Sequence, residues 1–185
     1  MATHYPFDIP RSRFTVQAFA TGLLSSLGHS PTFAVGRYSG DIRLGDGEIK
    51  NLALVLTIQA DSLALLDHVS PNDRAEIERR MNHDVLESGT FPEITYRAST
   101  VSENQLGPGH FQMRISGPLS LHGESRKHLI DTELTVFPDG LLLKGKSRIN
   151  LSDYNIKQVT ALGGTIRLKD ELRVLFDLGA PLEQS

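Results

Sequence analysis

The sequence predicts a mainly β protein, a single antiparallel barrel of eight strands with one covering α-helix. Three observations lead to this fold class. Polar and apolar residues alternate along most of the chain, turns rich in Gly, Pro and Asp separate the alternating segments, and one segment has helical periodicity. Side chains on one face of a strand recur every two residues, whereas those on one face of a helix recur every three to four. Short turns between successive strands favour an up-and-down barrel over a sandwich.

The clearest strand lies between His110 and His122, where odd positions are apolar or glycine and even positions are polar or proline. A helix would place Phe111 and Ile115 on different faces, so a strand explains the pattern better. Within this strand, the Gly117-Pro118 pair predicts a bend or an edge position, because proline cannot donate to the ladder. Similar alternation elsewhere gives about eight strands in total.

One long strand is predicted to be kinked, and one segment to be helical. Between residues 32 and 44 the apolar phase switches from odd to even around Gly36 and Gly40, which indicates a bulge or kink. The helix is predicted over about residues 71–84, where Ser70 can cap the first turn and Pro71 suits the first helical position. Apolar residues four apart then form a narrow stripe, so we expect the helix to cover one end or flank of the barrel.

Composition limits the class of protein. The chain has 185 residues, which suits one domain spanning residues 1–185. A net charge of −3 gives no reason to expect a nucleic-acid partner. The absence of cysteine excludes disulfides, thiolate metal sites and cysteine nucleophiles. The oligomeric state stays open, with a homodimer among the possibilities.

The cellular location is predicted from two features that the sequence does not show, a transmembrane segment and a signal peptide. No apolar run is long enough for a transmembrane segment, so none is expected. The first ten residues lack the basic region and apolar run of a signal peptide, which predicts a cytoplasmic protein. A trimmed form of a longer chain would instead be compatible with the periplasm.

Histidines and a few polar residues are the candidates for chemistry, because the common catalytic motifs are absent and no metal site is expected. His29, in a loop, could line a barrel mouth and bond the polar end of a ligand, or be satisfied by backbone groups. His122 and His128 flank a predicted turn without the spacing of metal ligands. Asp170 either points inward, where it needs a partner such as Arg37, or is exposed by a bulge, which we favour.

Four segments, taken together, resemble a known family. They are residues 12–16 (SRFTV), 35–40 (VGRYSG), 73–96 and 115–123 (ISGPLSLHG). Their order and spacing are similar to the opening strand, Gly-Arg-aromatic stretch, helix with aromatic-rich turn, and Gly-x-Leu-x-x-His-Gly hairpin of the YceI-like family. These proteins are lipocalin-like barrels associated with polyisoprenoid binding. The chain departs from the family at residues 124–128, where a Val-Thr-Lys-Pro-like run is usual, and in lacking a signal peptide.

The resemblance implies that the barrel interior binds a long apolar isoprenoid lipid, such as a polyprenol or an isoprenoid quinone. It further implies a carrier or sequestering protein that is not an enzyme and requires no cofactor. Inward-facing residues would line the interior that holds the lipid. His29, Arg37 or Asp170 would hold the polar end of the lipid near a barrel mouth. The predicted lining consists of Phe14, Val16, Phe33, Leu54, Leu56, Tyr96, Phe111, Met113, Ile115, Leu134, Leu143, Ile149, Val174 and Phe176.

Two alternatives remain open at this point. One is a barrel enzyme that acts on a small apolar substrate, with His29 or His122 as the acid-base group. The other is an interaction domain without a ligand, whose interior would be filled by its own side chains.

Overall fold

The computed structural model describes residues 2–21, 30–161 and 166–183, and most of them belong to strands. The strands are β1 (Thr3–Pro6), β2 (Arg13–Gln17), β3 (Ala20–Thr21), β4 (Thr32–Val35), β5 (Tyr38–Leu44), β6 (Leu52–Gln59), β7 (Leu63–Leu65), β8 (Glu93–Gly107), β9 (His110–Leu121), β10 (Glu124–Phe137), β11 (Gly140–Asn150), β12 (Thr160–Ala161), β13 (Ile166–Leu168) and β14 (Glu171–Pro181). Short 3-10 turns lie at Ile9–Arg11, Gly45–Gly47, Ile49–Asn51, Ala60–Ser62 and Leu151–Tyr154. One α-helix, α1 (Pro71–Arg80), continues into a π-type turn at Met81–Val85.

Eleven strands form one strongly curled antiparallel sheet in the order β1-β5-β6-β8-β9-β10-β11-β14-β2-β4-β7, and a small second sheet has the order β12-β13-β3. Only Gly36 and Arg37 separate β4 from β5, although these strands lie near opposite ends of the large sheet. The two ends therefore meet at this bend, where the Gly36 N–H donates to the Ser62 carbonyl (3.0 Å). The predicted kink is confirmed: it divides the long strand into β4 and β5 and brings the two ends of the curled sheet close together.

The sequence predicts about eight strands, whereas the large sheet has eleven strands among the described residues, and the difference has a simple cause. The long kinked strand is divided into β4 and β5, and the short strands β1 and β7 are added at the two edges. The remaining strands, β2, β6, β8, β9, β10, β11 and β14, match the predicted alternating segments. The prediction of an edge position for Gly117-Pro118 is wrong, because β9 lies between β8 and β10 inside the sheet.

The two ends of the barrel differ in packing. The end that carries the β8–β9 and β10–β11 turns, here termed the base, is solid. Met113, Leu134 and Leu143 lie in it with at most 2% of their surface exposed. The opposite end, here termed the mouth, carries the β9–β10 turn at His122-Gly123 and is covered on one side by α1.

The predicted helix is confirmed, and its attachment explains its position. The Ser70 hydroxyl accepts a hydrogen bond from the Asp73 N–H (3.1 Å), which caps the first turn. The Arg74 guanidinium donates to the carbonyls of Leu65 and Asp67, and the Glu78 carboxylate accepts from the Leu65 N–H (2.9 Å). These bonds tie the helix to β7 beside the mouth. Among the described residues, no helix has the length and apolar character that crossing a bilayer requires.

Candidate functional site

A cavity of about 400 Å³ occupies the mouth half of the barrel, between the curled sheet and α1. Its volume falls within the range of small-molecule sites, roughly 300–1,000 Å³. Inward-facing side chains of the strands supply most of the wall, and Ile77 and Met81 of the helical segment close one side. In the described part of the chain, the cavity reaches the surface beside Val69 and Thr160, which line it and are exposed.

Ten of the fourteen residues predicted to line the barrel do line this cavity. They are Phe14, Val16, Phe33, Leu54, Leu56, Tyr96, Ile115, Ile149, Val174 and Phe176. The other four, Phe111, Met113, Leu134 and Leu143, lie in the base instead. Residue phase predicts which face of a strand points inward, but not at which level the side chains fill the interior.

The cavity therefore has a closed floor rather than running through the barrel. Ile115 and Leu178 line its lower part, and both are 0% exposed. Met113, Leu134 and Leu143 pack below them, and each has at most 2% of its surface exposed. A ligand in this cavity would be limited in length by these side chains.

His128 and Ser147 are polar residues of the wall that were not predicted to line it. His128 precedes Ile130 by two residues on β10, and Ser147 precedes Ile149 by two residues on β11. Both share the inward phase of those strands and line the cavity. The alternation that identified the apolar lining could have identified them, because each interrupts an inward-facing apolar series.

His128 and Ser147 meet across the wall together with Tyr96. The His128 Nε2 lies 2.5 Å from the Ser147 Oγ, and the Tyr96 hydroxyl donates to the His128 carbonyl (3.0 Å). The Tyr96 and His128 rings are 6.3 Å apart, edge to face. Burial lowers the pKa of His128 and raises the pKa of Tyr96 well above its ordinary value. Both groups are therefore neutral at neutral pH.

Of the three residues predicted to hold a ligand head group, Arg37 and Asp170 lie elsewhere. His29 falls outside the described residues. The exposed Arg37 guanidinium donates to the Asp61 carboxylate (2.6 Å). The Asp170 carboxylate accepts from the Ser152 N–H (2.8 Å) and hydroxyl (2.6 Å), beyond the end of β13, so the exposed interpretation is correct. Contact of these residues with a head group stays a prediction, and neither Arg37 nor Asp170 lines the cavity.

His122, the candidate acid-base group, is held outside the cavity wall. It forms a two-residue turn with Gly123, and both have positive φ (52° and 78°), as a type I′ hairpin requires. Its Nε2 lies 2.5 Å from a carboxylate oxygen of Glu87, and its Nδ1 lies 3.1 Å from the Tyr154 carbonyl. Its ring packs on Phe91 with centroids 4.5 Å apart. His122 thus joins three segments of the mouth. Among the described residues, no group of three His, Asp or Glu side chains could hold a metal ion.

Replacing His122 with alanine should destabilise the fold by about 3 kcal/mol, since two hydrogen bonds and a ring contact are lost at a buried position. Urea unfolding of purified protein measures this. His110→Ala is the matched control, because its contact with Glu133 (3.6 Å) is between exposed side chains and should contribute less than about 1 kcal/mol. Equal stability of the two variants would show that His122 has no structural role.

Comparisons with known proteins agree with this architecture. The model of the YceI-like domain matches residues 6–180. The structure of Burkholderia cenocepacia BcnA is 15% identical, with a TM-score of 0.70, and the alignment covers 94% of this chain and 99% of that one. A polyisoprenoid binding domain from Saccharophagus degradans, implicated in plant cell wall breakdown, is 14% identical with a TM-score of 0.69, covering 97% and 98%. The Campylobacter jejuni YCEI protein is 14% identical with a TM-score of 0.58, covering 80% and 82%.

No curated protein shows significant sequence similarity to this chain. At 14–15% identity, the solved structures establish the fold that the chain shares with them. The domain match covers nearly the whole chain, and this protein therefore belongs to the YceI-like family.

Proposed function

We propose that this protein binds the tail of an isoprenoid lipid, a polyprenol or an isoprenoid quinone, inside the barrel and carries or sequesters it unchanged. The observation that carries the proposal is the cavity of about 400 Å³, whose lining is almost wholly apolar and whose floor is closed. The Saccharophagus degradans domain, which shares this fold, is a polyisoprenoid binding domain, and this supports the proposed ligand class.

The size of the cavity is compatible with useful affinity. Each buried methylene contributes about 0.8 kcal/mol, so ten buried carbon atoms contribute about 8 kcal/mol before the cost of ordering the chain. Before that cost is subtracted, the amount would correspond to a dissociation constant on the order of 1 μM. Tail atoms that the cavity cannot hold would have to extend past the mouth, because the base is filled by Met113, Leu134 and Leu143.

The positions of the polar groups favour a carrier over an enzyme. His122 lies outside the cavity wall and is engaged by Glu87 and the Tyr154 carbonyl. Inside, the His128 Nε2 lies 2.5 Å from the Ser147 Oγ, but among the hydrogen bonds of the described residues no carboxylate contacts the His128 ring, so the orienting member of a Ser-His-Asp triad is missing. The proposal requires no cofactor.

Native mass spectrometry of protein produced in cells and purified without detergent tests the proposal, together with organic extraction. We expect a bound species whose mass belongs to a series spaced by one isoprene unit. Protein that carries no lipid, and that also fails to take up added ubiquinone or polyprenol, would leave the interaction domain without a ligand as the better explanation.

A further inference from the structure

The wall of the cavity contains a place where two neighbouring strands part. The ladder between β10 and β11 ends at the pair Asp131–Lys146. Toward the mouth, β10 continues to pair with β9, and β11 continues to pair with β14 as far as Asn150. The two strands therefore diverge as a fork over the last part of the cavity wall. Side-chain contacts take the place of the ladder here.

His128 and Ser147 form the contact across this fork that faces the cavity. In neutral histidine, one ring nitrogen donates and the other accepts, while a serine hydroxyl does both. The pair uses one donor and one acceptor in its own hydrogen bond. Whichever tautomer is present, it retains a donor and an acceptor for a further partner. Two apolar residues would close the wall without desolvating polar groups, so the polar pair needs a reason.

The charges around the cavity disfavour a phosphate. Arg80 is the only cation among the described lining residues, and its Nε donates to the Glu76 carboxylate (2.6 Å). Asp67 adds a carboxylate to the same lining. The sequences of residues 22–29 and 162–165 contain no Lys or Arg. Burial holds the pKa of His128 below its usual value, so this residue supplies no charge at neutral pH. A buried phosphate without such partners would be strongly unfavourable.

We infer that His128 and Ser147 form a subsite for the uncharged polar group of the ligand, an alcohol hydroxyl or a quinone carbonyl. The protein would then select free prenols and prenylated quinones over prenyl phosphates. This inference rests on the proposed function, and it adds the chemistry that distinguishes one isoprenoid from another.

The test compares three ligands that share one C20 tail: geranylgeraniol, geranylgeranyl diphosphate and the corresponding hydrocarbon without oxygen. Dissociation constants are measured by native mass spectrometry on delipidated protein. For the wild type, we expect geranylgeraniol to bind about 10-fold more tightly than either of the others, the effect of one good hydrogen bond. Ser147→Ala and His128→Leu should each remove the preference for the alcohol over the hydrocarbon and leave hydrocarbon binding within about twofold, because the apolar wall is retained.

Ser116→Ala is the matched control, since Ser116 is a buried serine of β9 that is not part of the cavity lining. Its ligand preference should equal that of the wild type. Should His128→Leu fail to fold, Ser147→Ala carries the same comparison. Equal weakening of alcohol and hydrocarbon binding would show that the pair only bridges the fork, and preference for the diphosphate would also overturn the subsite. Failure of the wild type to bind any of the three would instead refute the proposed function.

Discussion

Replacing Val174 with tryptophan should weaken isoprenoid binding by at least about 100-fold. Val174 lies on β14, lines the cavity and is 8% exposed. An indole at this position would extend across the cavity and occupy the space that the lipid tail needs. Displacing four methylenes is enough to remove about 3 kcal/mol, which corresponds to this loss of affinity. Native mass spectrometry with added ubiquinone measures it.

Leu175→Trp is the control for this variant, because the next residue of the same strand points to the other face and is 44% exposed. It adds the same side chain without entering the cavity, so ubiquinone should bind as it does to the wild type. Larger side chains in a core can cost about 1–3 kcal/mol of stability, so urea unfolding of both variants accompanies the binding assay. Unchanged binding by a folded Val174→Trp protein would place the ligand elsewhere.

Replacing Gly117 with alanine should destabilise the fold by about 4 kcal/mol. A Cβ on Gly117 would lie 1.8 Å from the Arg97 carbonyl oxygen, and real Cβ atoms essentially never approach closer than 3.0 Å. That neighbour is backbone of β8, so a side-chain rotation cannot relieve the clash. The two strands would have to separate at the centre of the sheet, between the pairs Ser99–Ser116 and Tyr96–Leu119.

Gly107→Ala provides the comparison at the other end of β8. Among the described residues, nothing lies within 4 Å of a Cβ built on Gly107. We expect its free energy of unfolding to stay within about 0.5 kcal/mol of the wild type. If both variants lost a similar free energy of unfolding in urea, the replacement of glycine itself would explain the effect, and the contact with Arg97 would not.

The fold could be predicted from local signals because those signals coincide with the packing. Alternation along residues 110–122 gave the face of β9 that points inward, and Ser70 with Pro71 gave the start of α1. The switch of phase at Gly36 marked the bend between β4 and β5. What the bend does could not be predicted, since sheet closure depends on the pairing of strands distant in sequence.

The sequence predicted which face of each strand points into the barrel, but not how far the cavity extends toward the base. Phase placed Val174 and Ile149 on the wall correctly, yet it also placed Met113 and Leu134 there, which fill the base. Whether inward side chains leave space depends on how they interdigitate across the barrel, which no single strand encodes. His128 was considered only as a metal-ligand candidate beside a turn, although its phase agreed with Ile130.

The closed floor at Ile115 and Leu178 determines the order in which the two ends of a bound lipid would enter and leave the cavity. A linear lipid cannot pass through the base that the described residues fill, so a lipid bound as proposed would leave tail-last. The hydrocarbon end enters first and leaves last, while the oxygen-bearing end is the last to be enclosed and the first to be released. In the proposed function, a lipid held in this way would present its oxygen-bearing end at the mouth, ahead of its tail.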